Sequence, residues 1–283
     1  MNDHLEIPSF TLSNIVNNAI QEDLGSFGDL TSQSLENNTN EITAIITSNK
    51  EGVLSGLNCA KMTFNKIDEK INFAPKLNDG DSLKINSVIA SVTGSALSIL
   101  SAERTALNFL GHMSGIASQT RIFTKLISHT KAKILSTRKT TPGLRVIEKY
   151  AVQCGGGFNH RFGLDYGILI KDNHIKVANG ILNAIQGTEK NIPHLSNIEV
   201  EVDTIEQFRE CQELGVKYIL LDNMSADQIK ECMKYNKNNS ILEASGGINL
   251  KNIKAIAETG IEYISIGRLT HSSDSLDVSM HIE

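Results

Sequence analysis

The chain has 283 residues, of which 40% are hydrophobic and 21% are charged, and its formal net charge is −5 at pH 7. This composition is typical of a folded globular protein with one large or two ordinary domains, and it excludes collagen-like, coiled-coil and wholly disordered chains. The negative charge argues against a general partner of nucleic acids or membrane surfaces, because both attract basic faces.

The four cysteines, Cys59, Cys154, Cys211 and Cys232, are far apart in the chain. They form neither a C-x-x-C pair nor a cluster with metal-ligand spacing, so we predict reduced thiols in a cytoplasmic protein. The first residues carry acids in place of a basic stretch, and no segment reaches the roughly 18 apolar residues of a membrane span. We therefore predict no targeting segment, no membrane contact and no nucleic-acid partner.

The first hundred residues mix short strands and turns, which predicts an α+β domain. Segments 42–47 and 87–92 are predicted strands, and Asn78-Asp-Gly-Asp81 is typical of a turn. From Ser101 to about residue 129 apolar residues recur at helical spacing, with Ser101 as the predicted N-cap. Gly111 and Gly115 lie within this helix, so we expect either a break or a second backbone packed closely against it.

The second half of the chain repeats a rhythm of strand, loop and helix. The predicted strands are 133–137, 167–171, 198–202, 218–222, 241–245 and 263–267, and the clearest helical stretches between them are 204–214, 225–235 and 249–259. This alternation predicts a parallel sheet, either a barrel or a doubly wound sheet. We favour the barrel, because polar side chains recur at the carboxyl ends of the strands, where a βα-barrel has its active site.

Basic residues are concentrated between positions 136 and 176. This segment has four more basic than acidic residues inside an acidic chain, which favours a local site for a small polyanion over a solvated basic face. Arg138, Lys139 and Lys171 fall at predicted strand ends, and a mixed set of arginine and lysine suits a ligand with both carboxylate and phosphate groups. His160 either donates to such a ligand or makes a structural hydrogen bond, and the sequence leaves both open.

Carboxylates are expected at the same end of the sheet. Glu199, Glu201 and Asp203 share one face of their strand, and Asp222 ends the next strand. Three roles are available: structural ion pairs, metal coordination, and stabilisation of a cation that develops on the substrate. The functional roles are favoured for Glu201 and Asp222, and the structural role has equal weight for Glu199 and Asp203.

Glycine turns follow the last two predicted strands. Ser245-Gly-Gly247 precedes a helix predicted to open near Asn249, and Ile266-Gly-Arg268 follows the final strand. Free main-chain N–H groups in such turns suit a phosphate. Gly155-Gly-Gly157 lacks the lysine and hydroxyl residue of a P-loop, so it is predicted to end a helix that begins near Pro142.

Several segments, in order, closely resemble the quinolinate phosphoribosyltransferases, the carboxylating nicotinate-nucleotide pyrophosphorylases. They are residues 22–31, 101–108, 137–145, 155–161, 168–174, 199–202, 220–223 and 243–247. The resemblance covers nearly the whole chain. It implies an α/β fold, with an N-terminal α/β sandwich at 1–110 and an incomplete, seven-stranded parallel βα-barrel at 111–271. In this fold residues 272–283 can pack with the first domain. The implied barrel has seven strands, one more than the six that the sequence pattern predicts.

The resemblance also implies site residues. Arg138, Lys139, His160, Arg161 and Lys171 would line a pocket for the dicarboxylate and the pyrophosphate, with Thr137 beside them. Glu201 and Asp222 would face the ribose and its Mg²⁺, either directly or only through the substrate. The residues expected to act in catalysis are Lys139, Lys171, Glu201 and Asp222, and those expected to hold phosphate are Ser245, Gly246, Gly247, Ile266, Gly267 and Arg268.

Two further expectations follow from the resemblance. The protein would be a homodimer whose active site is completed by Arg104 from the neighbouring subunit, and a larger oligomer is left open. Arg268 stands where relatives often carry a small residue, so its side chain is predicted either to add a phosphate contact or to point to solvent.

The implied reaction joins quinolinate to phosphoribosyl pyrophosphate and yields nicotinate mononucleotide, carbon dioxide and pyrophosphate. One alternative is a paralogous transferase of the same fold that acts on another acid. Another is a barrel lyase that uses Lys171 as a Schiff-base nucleophile. A binding protein for phosphorylated metabolites is a third, but Glu201 and Asp222 argue against it, because carboxylates weaken simple anion capture.

Overall fold

The computed structural model describes residues 7–34, 40–193 and 196–283. Over these residues the helices are α1 (Ser9–Leu24), α2 (Leu30–Gln33), α3 (Leu57–Ile67), α4 (Ala96–Leu126), α5 (Arg145–Cys154), α6 (Asp172–Ala178), α7 (Ile181–Glu189), α8 (Ile205–Glu213), α9 (Ala226–Tyr235), α10 (Ile253–Ala257) and α11 (Arg268–His271). The strands are β1 (Glu41–Ser48), β2 (Gly52–Val53), β3 (Asn72–Pro75), β4 (Ser82–Leu83), β5 (Val88–Ser95), β6 (Lys133–Ser136), β7 (Phe158–Asn159), β8 (Ile168–Ile170), β9 (Ile198–Val202), β10 (Tyr218–Asp222), β11 (Ile241–Ser245), β12 (Tyr263–Ser265) and β13 (Val278–Ile282). Within this part of the chain, no helix has the length and apolar character needed to cross a membrane.

The chain divides into two compact units, and the first contains the amino-terminal domain. Its described residues fall within Met1–Arg121, Thr140–Gly156 and Arg268–Glu283. The larger sheet is antiparallel in the order β13-β1-β5-β3, so the last strand of the chain pairs with the first. Phe64 of α3 and Phe73 of β3 pack in the core, with their ring centroids 5.8 Å apart. This unit confirms the predicted mixed α/β domain.

Helix α4 is continuous and begins earlier than the sequence predicts. It starts at Ala96, so Ser101 lies inside the helix and the prediction of Ser101 as its N-cap is wrong. The apolar pattern continues upstream of Ser101, where Ile99 is fully buried. A Cβ atom on Gly115 would lie 2.1 Å from the carbonyl oxygen of Asp274. Close packing of a second backbone, rather than a helix break, is therefore the reason for glycine here.

The second unit is the predicted barrel. Its residues fall within Ile122–Lys139 and Gly157–Gly267. Seven strands pair in parallel in the order β7-β6-β12-β11-β10-β9-β8, which confirms the seven-stranded sheet. The strand that the sequence pattern missed is β7, which has only two residues and so shows no apolar run.

The two faces of this sheet differ sharply in polarity. Val200, Ile219 and Ile264 are fully buried on one face, as expected where helices cover a parallel sheet. The opposite face carries carboxylates: Leu220 pairs with Glu201 of β9 and with Glu243 of β11, which places both acids on one side of the sheet.

A hydrogen bond shows that the polar face lines the inside of a barrel. His160, directly after β7, has its Nε2 atom 2.7 Å from Oε2 of Glu199 in β9. Four strands lie between β7 and β9 in the sheet order, so a flat sheet would hold these two strands about 24 Å apart. The sheet therefore curves until its polar face closes on itself.

Candidate active site

The carboxyl ends of the seven strands carry most of the side chains that the sequence predicts for the site. They are Thr137, Arg138 and Lys139 after β6, His160 and Arg161 after β7, Lys171 after β8, Glu201 in β9, Asp222 in β10, Ser245, Gly246 and Gly247 at β11, and Ile266 and Gly267 after β12. Since the carboxyl ends of parallel strands meet at one edge, the barrel unit brings these residues to one rim. Arg104 and Arg268 belong to the other unit, where both side chains are exposed.

Lys171 and Glu201 form the shortest ion pair of this rim. The lysine Nζ atom lies 2.5 Å from the glutamate Oε2 atom, across the adjacent strands β8 and β9. Lys171 is also the N-cap residue of α6, and its main-chain N–H donates to Nδ1 of His174 at 2.9 Å. The strand end and the helix start thus fix the lysine backbone, while its side chain reaches a carboxylate inside the barrel.

Arg161 supplies a cation that is partly withdrawn from water. Its Nη1 atom donates to the carbonyl oxygen of Gly167 at 3.2 Å. Burial and the neighbouring charge of Arg138 lower the pKa of the Arg161 guanidinium, whereas Glu199 and Glu201 act in the opposite direction. An arginine stays protonated in proteins, so two like charges stand close together, as expected of a site that takes an anion.

The turn after β6 presents two more cations. The Thr137 hydroxyl accepts a hydrogen bond from the main-chain N–H of Lys139 at 3.0 Å, which closes a tight turn. The side chains of Arg138 and Lys139 are exposed on this turn. Thr137 therefore has a structural part in presenting both cations.

Asp222 is oriented by a residue that the sequence analysis did not single out. Asn223, with a φ of 55°, donates from Nδ2 to Asp222 Oδ2 at 2.7 Å, and its main-chain N–H donates to the Ser245 carbonyl at 2.8 Å. A Cβ on Gly246 would lie 2.2 Å from Oδ1 of Asn223. Asn223 thus joins the ends of β10 and β11, and Gly246 is required for this close approach. The sequence feature that could have identified Asn223 is its position directly after a strand, because asparagine tolerates a positive φ.

The glycine turn after β11 leaves space for a ligand but does not open a long helix. Gly247 has a φ of 62°, and a Cβ added there would meet no atom within 4 Å. Its carbonyl oxygen accepts from the side-chain amides of Asn249 and Asn252, each at 3.1 Å. The helix expected near Asn249 is α10, which begins at Ile253 and has five residues. That expectation is wrong, because the asparagine side chains hold a turn where a first helical turn was expected.

The helix that the triple glycine was predicted to end also differs from the prediction. Helix α5 begins at Arg145 rather than near Pro142, and its C-cap Gly155 keeps a helical φ of −73°. The residue with positive φ is Gly156, at 88°. Glycine is needed at the position after the cap, as in left-handed helix ends.

Glu201 and Asp222 fit a magnesium ion. They lie on adjacent strands and face the same side, because Glu201 pairs with Leu220, two residues before Asp222. Among the described residues, Oε1 of Glu201 and Oδ1 of Asp222 have no hydrogen-bond or ion-pair partner, while the other oxygens bind Lys171 and Asn223. In proteins Mg²⁺ is often held by one or two carboxylates together with waters and substrate phosphates. This donor set suits that chemistry.

A second polar cluster lies deeper in the barrel. His160 Nε2 is 2.7 Å from Glu199 Oε2 and 3.6 Å from Glu243 Oε2. Glu243 is 4% exposed and accepts a hydrogen bond from the Ser265 hydroxyl. Burial, and then the charge of Glu199, raise the pKa of Glu243 to about 7, although His160 acts in the opposite direction. The sequence analysis did not predict Glu243 and Ser265 as site residues. The feature that could have identified Glu243 is that it is a single acidic residue inside an apolar strand.

Comparison with known proteins decides the family. Residues 29–114 match the model of the quinolinate phosphoribosyl transferase N-terminal domain, and residues 116–281 match the model of its C-terminal domain. The chain belongs to the quinolinate phosphoribosyltransferase family. The family prediction from the sequence motifs is therefore confirmed.

Individual relatives agree over nearly the full length. The chain is 44% identical to the probable nicotinate-nucleotide pyrophosphorylase [carboxylating] of Bacillus subtilis, over 96% of this chain and 93% of that protein. It is 36% identical to quinolinate phosphoribosyltransferase [decarboxylating] 2, mitochondrial, of Nicotiana glauca, over 98% of this chain and 83% of that protein. The crystal structure of nicotinate-nucleotide pyrophosphorylase from Ehrlichia chaffeensis superimposes with a TM-score of 0.93 at 42% identity, covering 99% of this chain and all of that one.

Proposed function

We propose that this member of the quinolinate phosphoribosyltransferase family is a pentosyltransferase that makes nicotinate mononucleotide for NAD biosynthesis. Phosphoribosyl pyrophosphate donates the sugar phosphate, quinolinate accepts it and loses one carboxylate as carbon dioxide, and pyrophosphate is released. The observation that carries the proposal is the Lys171–Glu201 pair at the barrel rim. It combines a cation for the anionic ligands with a carboxylate for the sugar in a family whose relatives bear this activity in their names.

Quinolinate is a planar dicarboxylate, and the cations of the rim suit it. Arg138, Lys139, Arg161 and Lys171 are the residues that we assign to its two carboxylates. Guanidinium groups bind carboxylates through paired hydrogen bonds, and ammonium groups add compact charge. Arg161 and Arg138 are close enough for one charge to lower the pKa of the other, so a dianion relieves their repulsion.

The carboxylates suit the sugar. As the C1–oxygen bond to pyrophosphate breaks, positive charge grows on the ribose, and a nearby carboxylate stabilises it. We assign Glu201 and Asp222 to this role. Their fixed positions, through Lys171 and Asn223, mean that little reorganisation is needed as the charge develops.

The substrate supplies its own electron sink for decarboxylation. The pyridine nitrogen attacks C1 of the ribose and becomes a pyridinium. The bond between the adjacent ring carbon and its carboxylate then breaks, the electron pair stays on that carbon, and the carbon takes up a proton. No separate electron-accepting cofactor is needed. A Schiff base on Lys171 is not favoured, because its ammonium is engaged with Glu201 at 2.5 Å and a nucleophilic lysine must be neutral.

Mg²⁺ is the proposed cofactor, held by Glu201 and Asp222 or bound through the substrate. When bound, such an ion neutralises charge on the leaving pyrophosphate. The main chain of Ser245, Gly246, Gly247, Ile266 and Gly267 is proposed to hold phosphate. The open space above Gly247 allows an oxygen to approach the backbone. Arg268 is exposed, so we assign it no buried phosphate contact.

The proposed assembly is a homodimer in which Arg104 of α4 completes the neighbouring site. The exposed side chain of Arg104 is compatible with such an exchange, and a larger oligomer would be built from the same dimer. The proposed location is the cytoplasm. All four cysteines are free and buried, as expected in a reducing compartment, although the Nicotiana glauca relative is named mitochondrial.

A panel of acids tests the proposed function. The chain, Mg²⁺ and phosphoribosyl pyrophosphate are incubated with quinolinate, nicotinate or a pyridine dicarboxylate lacking the carboxylate beside nitrogen, and the nucleotide product is identified by mass. The proposal predicts product only from quinolinate at a substantial rate. Preferred turnover of another acid would indicate a paralogous transferase, and a borohydride-stable adduct on Lys171 would indicate the lyase.

A further inference from the structure

Helix α4 leaves one narrow part of its surface uncovered by its own chain. From Thr105 to Gly111, Asn108 is exposed and the six other residues are buried. Arg104, one turn earlier, is exposed as well. Residues four apart lie on the same face of a helix, with Cβ atoms about 5–6 Å apart. Arg104 and Asn108 therefore form a polar stripe on a segment of helix that is otherwise covered.

Neither side chain of this stripe has a hydrogen-bond or ion-pair partner within the part of the chain that the structure describes. His112, one turn further along the same face, differs from them, because its Nε2 atom lies 2.9 Å from Oε1 of the buried Glu148. The face is thus closed by a contact at His112 and open at Arg104 and Asn108.

An asparagine at position 108 has a cost for the helix itself. Inside an α-helix asparagine is less favourable than alanine, because its side chain competes for hydrogen bonds with the main chain. Among the described residues the Asn108 amide makes no bond that offsets this cost. The benefit of the amide therefore has to come from a contact outside these residues.

We propose that Asn108 is a positioning residue that binds a main-chain peptide group of a second copy of this chain and so fixes Arg104 in the neighbouring site. The inference rests on the proposed function, because it takes Arg104 as the residue exchanged between subunits. The contact is continuous with that exchange, since both side chains belong to one stripe of α4.

The chemistry of the amide favours a peptide group over an anionic ligand. Asparagine offers two N–H donors and one carbonyl acceptor, so it can form two hydrogen bonds with a peptide group, which has one donor and one acceptor. The carboxylates of quinolinate and the oxygens of pyrophosphate only accept. They would leave the Asn108 carbonyl oxygen unpaired beside negative charge, and an unpaired acceptor in a closed interface costs free energy.

Asn108 is placed to control the turn from which the Arg104 side chain starts. Side chains of a helix lean toward its N-terminus, so the Asn108 amide covers the turn that carries Arg104. A contact there holds this turn against the neighbouring chain and leaves the guanidinium available for an anion. Without the contact, the guanidinium has to be ordered when the ligand binds, which weakens binding.

The dissociation constant of the homodimer tests the contact without any substrate. Asn108→Ala should raise this constant at least roughly tenfold, because a symmetric dimer loses two such contacts. Sedimentation over a dilution series measures the constant. An unchanged constant would overturn the proposal, and so would a contact made only to the ligand, which leaves the substrate-free dimer as stable as wild type.

Asn17→Ala is the matched control for that measurement. Asn17 is exposed inside α1 of the same unit, and its side chain has no partner in the described ranges. Alanine favours helix at both positions, so neither substitution is expected to unfold the chain. The control should leave the dissociation constant of the homodimer unchanged.

Mixed dimers test whether Asn108 acts on Arg104. A chain with Lys171→Met lends its Arg104 to a chain with Arg104→Ala, which leaves one complete site in each mixed dimer. Asn108→Ala is added either to the first chain, beside the working Arg104, or to the second chain. Both dimers lose one Asn108, so a general weakening of the dimer affects them equally. The KM for quinolinate should rise roughly tenfold in the first arrangement and change less than about threefold in the second.

Equal KM values in the two arrangements would overturn the positioning role. A rise confined to the KM for phosphoribosyl pyrophosphate would indicate a contact with the ribose hydroxyls and would also overturn it. An inactive parent mixed dimer, from a wild-type chain that is active, would do the same, because Arg104 would not be exchanged. A homodimer that Asn108→Ala weakens, in a chain that releases no carbon dioxide from quinolinate, would contradict the proposed function alone.

Discussion

The ammonium of Lys171 and the carboxylate of Glu201 lie 2.5 Å apart at the carboxyl ends of two adjacent strands. The Glu201 side chain is 15% exposed, and that of Lys171 is 43% exposed. The cation therefore remains accessible to an anionic ligand while the carboxylate stays close to the barrel interior. A reaction that generates a cationic sugar and an anionic leaving group needs charges of both signs at this short distance.

Replacing Lys171 removes the cation and leaves Glu201 without its ion-pair partner. Lys171→Met should lower kcat/KM for quinolinate at least roughly 100-fold, a loss comparable to removal of one electrostatic contact to a transition state. Lys176→Met is the control, because Lys176 forms an exposed pair with Asp172 at 3.1 Å and such pairs contribute little. Equal activity of the two variants would exclude Lys171 from the site.

The contact between Gly246 and Asn223 predicts a defect in both stability and donor binding. Gly246→Ala places a Cβ against Asn223 at a φ of 85°, which should lower the free energy of unfolding by about 1–3 kcal/mol. Displacement of Asn223 also releases Asp222, so the KM for phosphoribosyl pyrophosphate should rise. Denaturant unfolding and steady-state kinetics measure these effects.

Gly187→Ala is the matched control for that variant. Gly187 is exposed within α7, and an added Cβ would meet nothing within 4 Å. This substitution should raise the free energy of unfolding by about 0.5–1 kcal/mol, since alanine favours helix over glycine. A Gly246→Ala variant as stable and active as Gly187→Ala would show that the turn has room for a side chain.

The buried carboxyl of Glu243 predicts a pH dependence of stability. Its pKa is raised from an ordinary value of 4.5 to about 7, mainly by burial, so between these pH values the folded chain binds more protons than the unfolded chain. The contribution of this group is fully present below about pH 4.5 and is lost as the pH rises through about 7.

Glu243→Gln keeps an acceptor for Ser265 but cannot ionise. Relative to wild type, this variant should gain stability as the pH rises from 4.5 to 8, with a difference on the order of 3 kcal/mol across the window. Glu213→Gln, at an exposed position in α8, should show no such trend. Unfolding of all three proteins at several pH values provides the comparison, and parallel curves for wild type and Glu243→Gln would contradict the assignment.

The proposed exchange of Arg104 can be tested by mixing two inactive variants. Arg104→Ala and Lys171→Met should each be inactive alone. A mixed dimer restores one complete site, with Lys171 from one chain and Arg104 from the other, so random mixing should recover about a quarter of wild-type activity. No recovery after subunit exchange, shown by a mass-tagged mixed dimer, would mean that Arg104 acts within its own chain or not at all.

The sequence predicts most of the barrel because most of its strands are apolar runs that alternate with helical stretches. Six of the seven strands show this pattern, and helices α8 and α9 lie within the helical stretches predicted at 204–214 and 225–235. The pattern misses β7 because Phe158 and Asn159 are held by pairing with Leu135 and Ser136, a contact that no local pattern encodes. It misplaces the start of α4 because a serine can lie inside a helix as well as cap it.

The charged residues of the rim are predictable from the sequence, but their partners are not. The order of strands and loops alone predicts that Lys171, Glu201 and Asp222 lie at one edge of the sheet. The contact of His160 with Glu199 depends on the curvature of the sheet, and the role of Asn223 depends on its positive φ. Both depend on tertiary packing, which the apolar periodicity and the composition of the sequence do not reveal.

The most direct measurement follows carbon dioxide and pyrophosphate together. Quinolinate labelled in the carboxylate beside the ring nitrogen is incubated with the chain, Mg²⁺ and phosphoribosyl pyrophosphate. We predict that both products appear in equal amounts, that neither appears without the phosphoribosyl donor, and that Lys171→Met abolishes both. Release of labelled carbon dioxide without the donor, or pyrophosphate without carbon dioxide, would contradict a phosphoribosyl transfer coupled to decarboxylation at this rim.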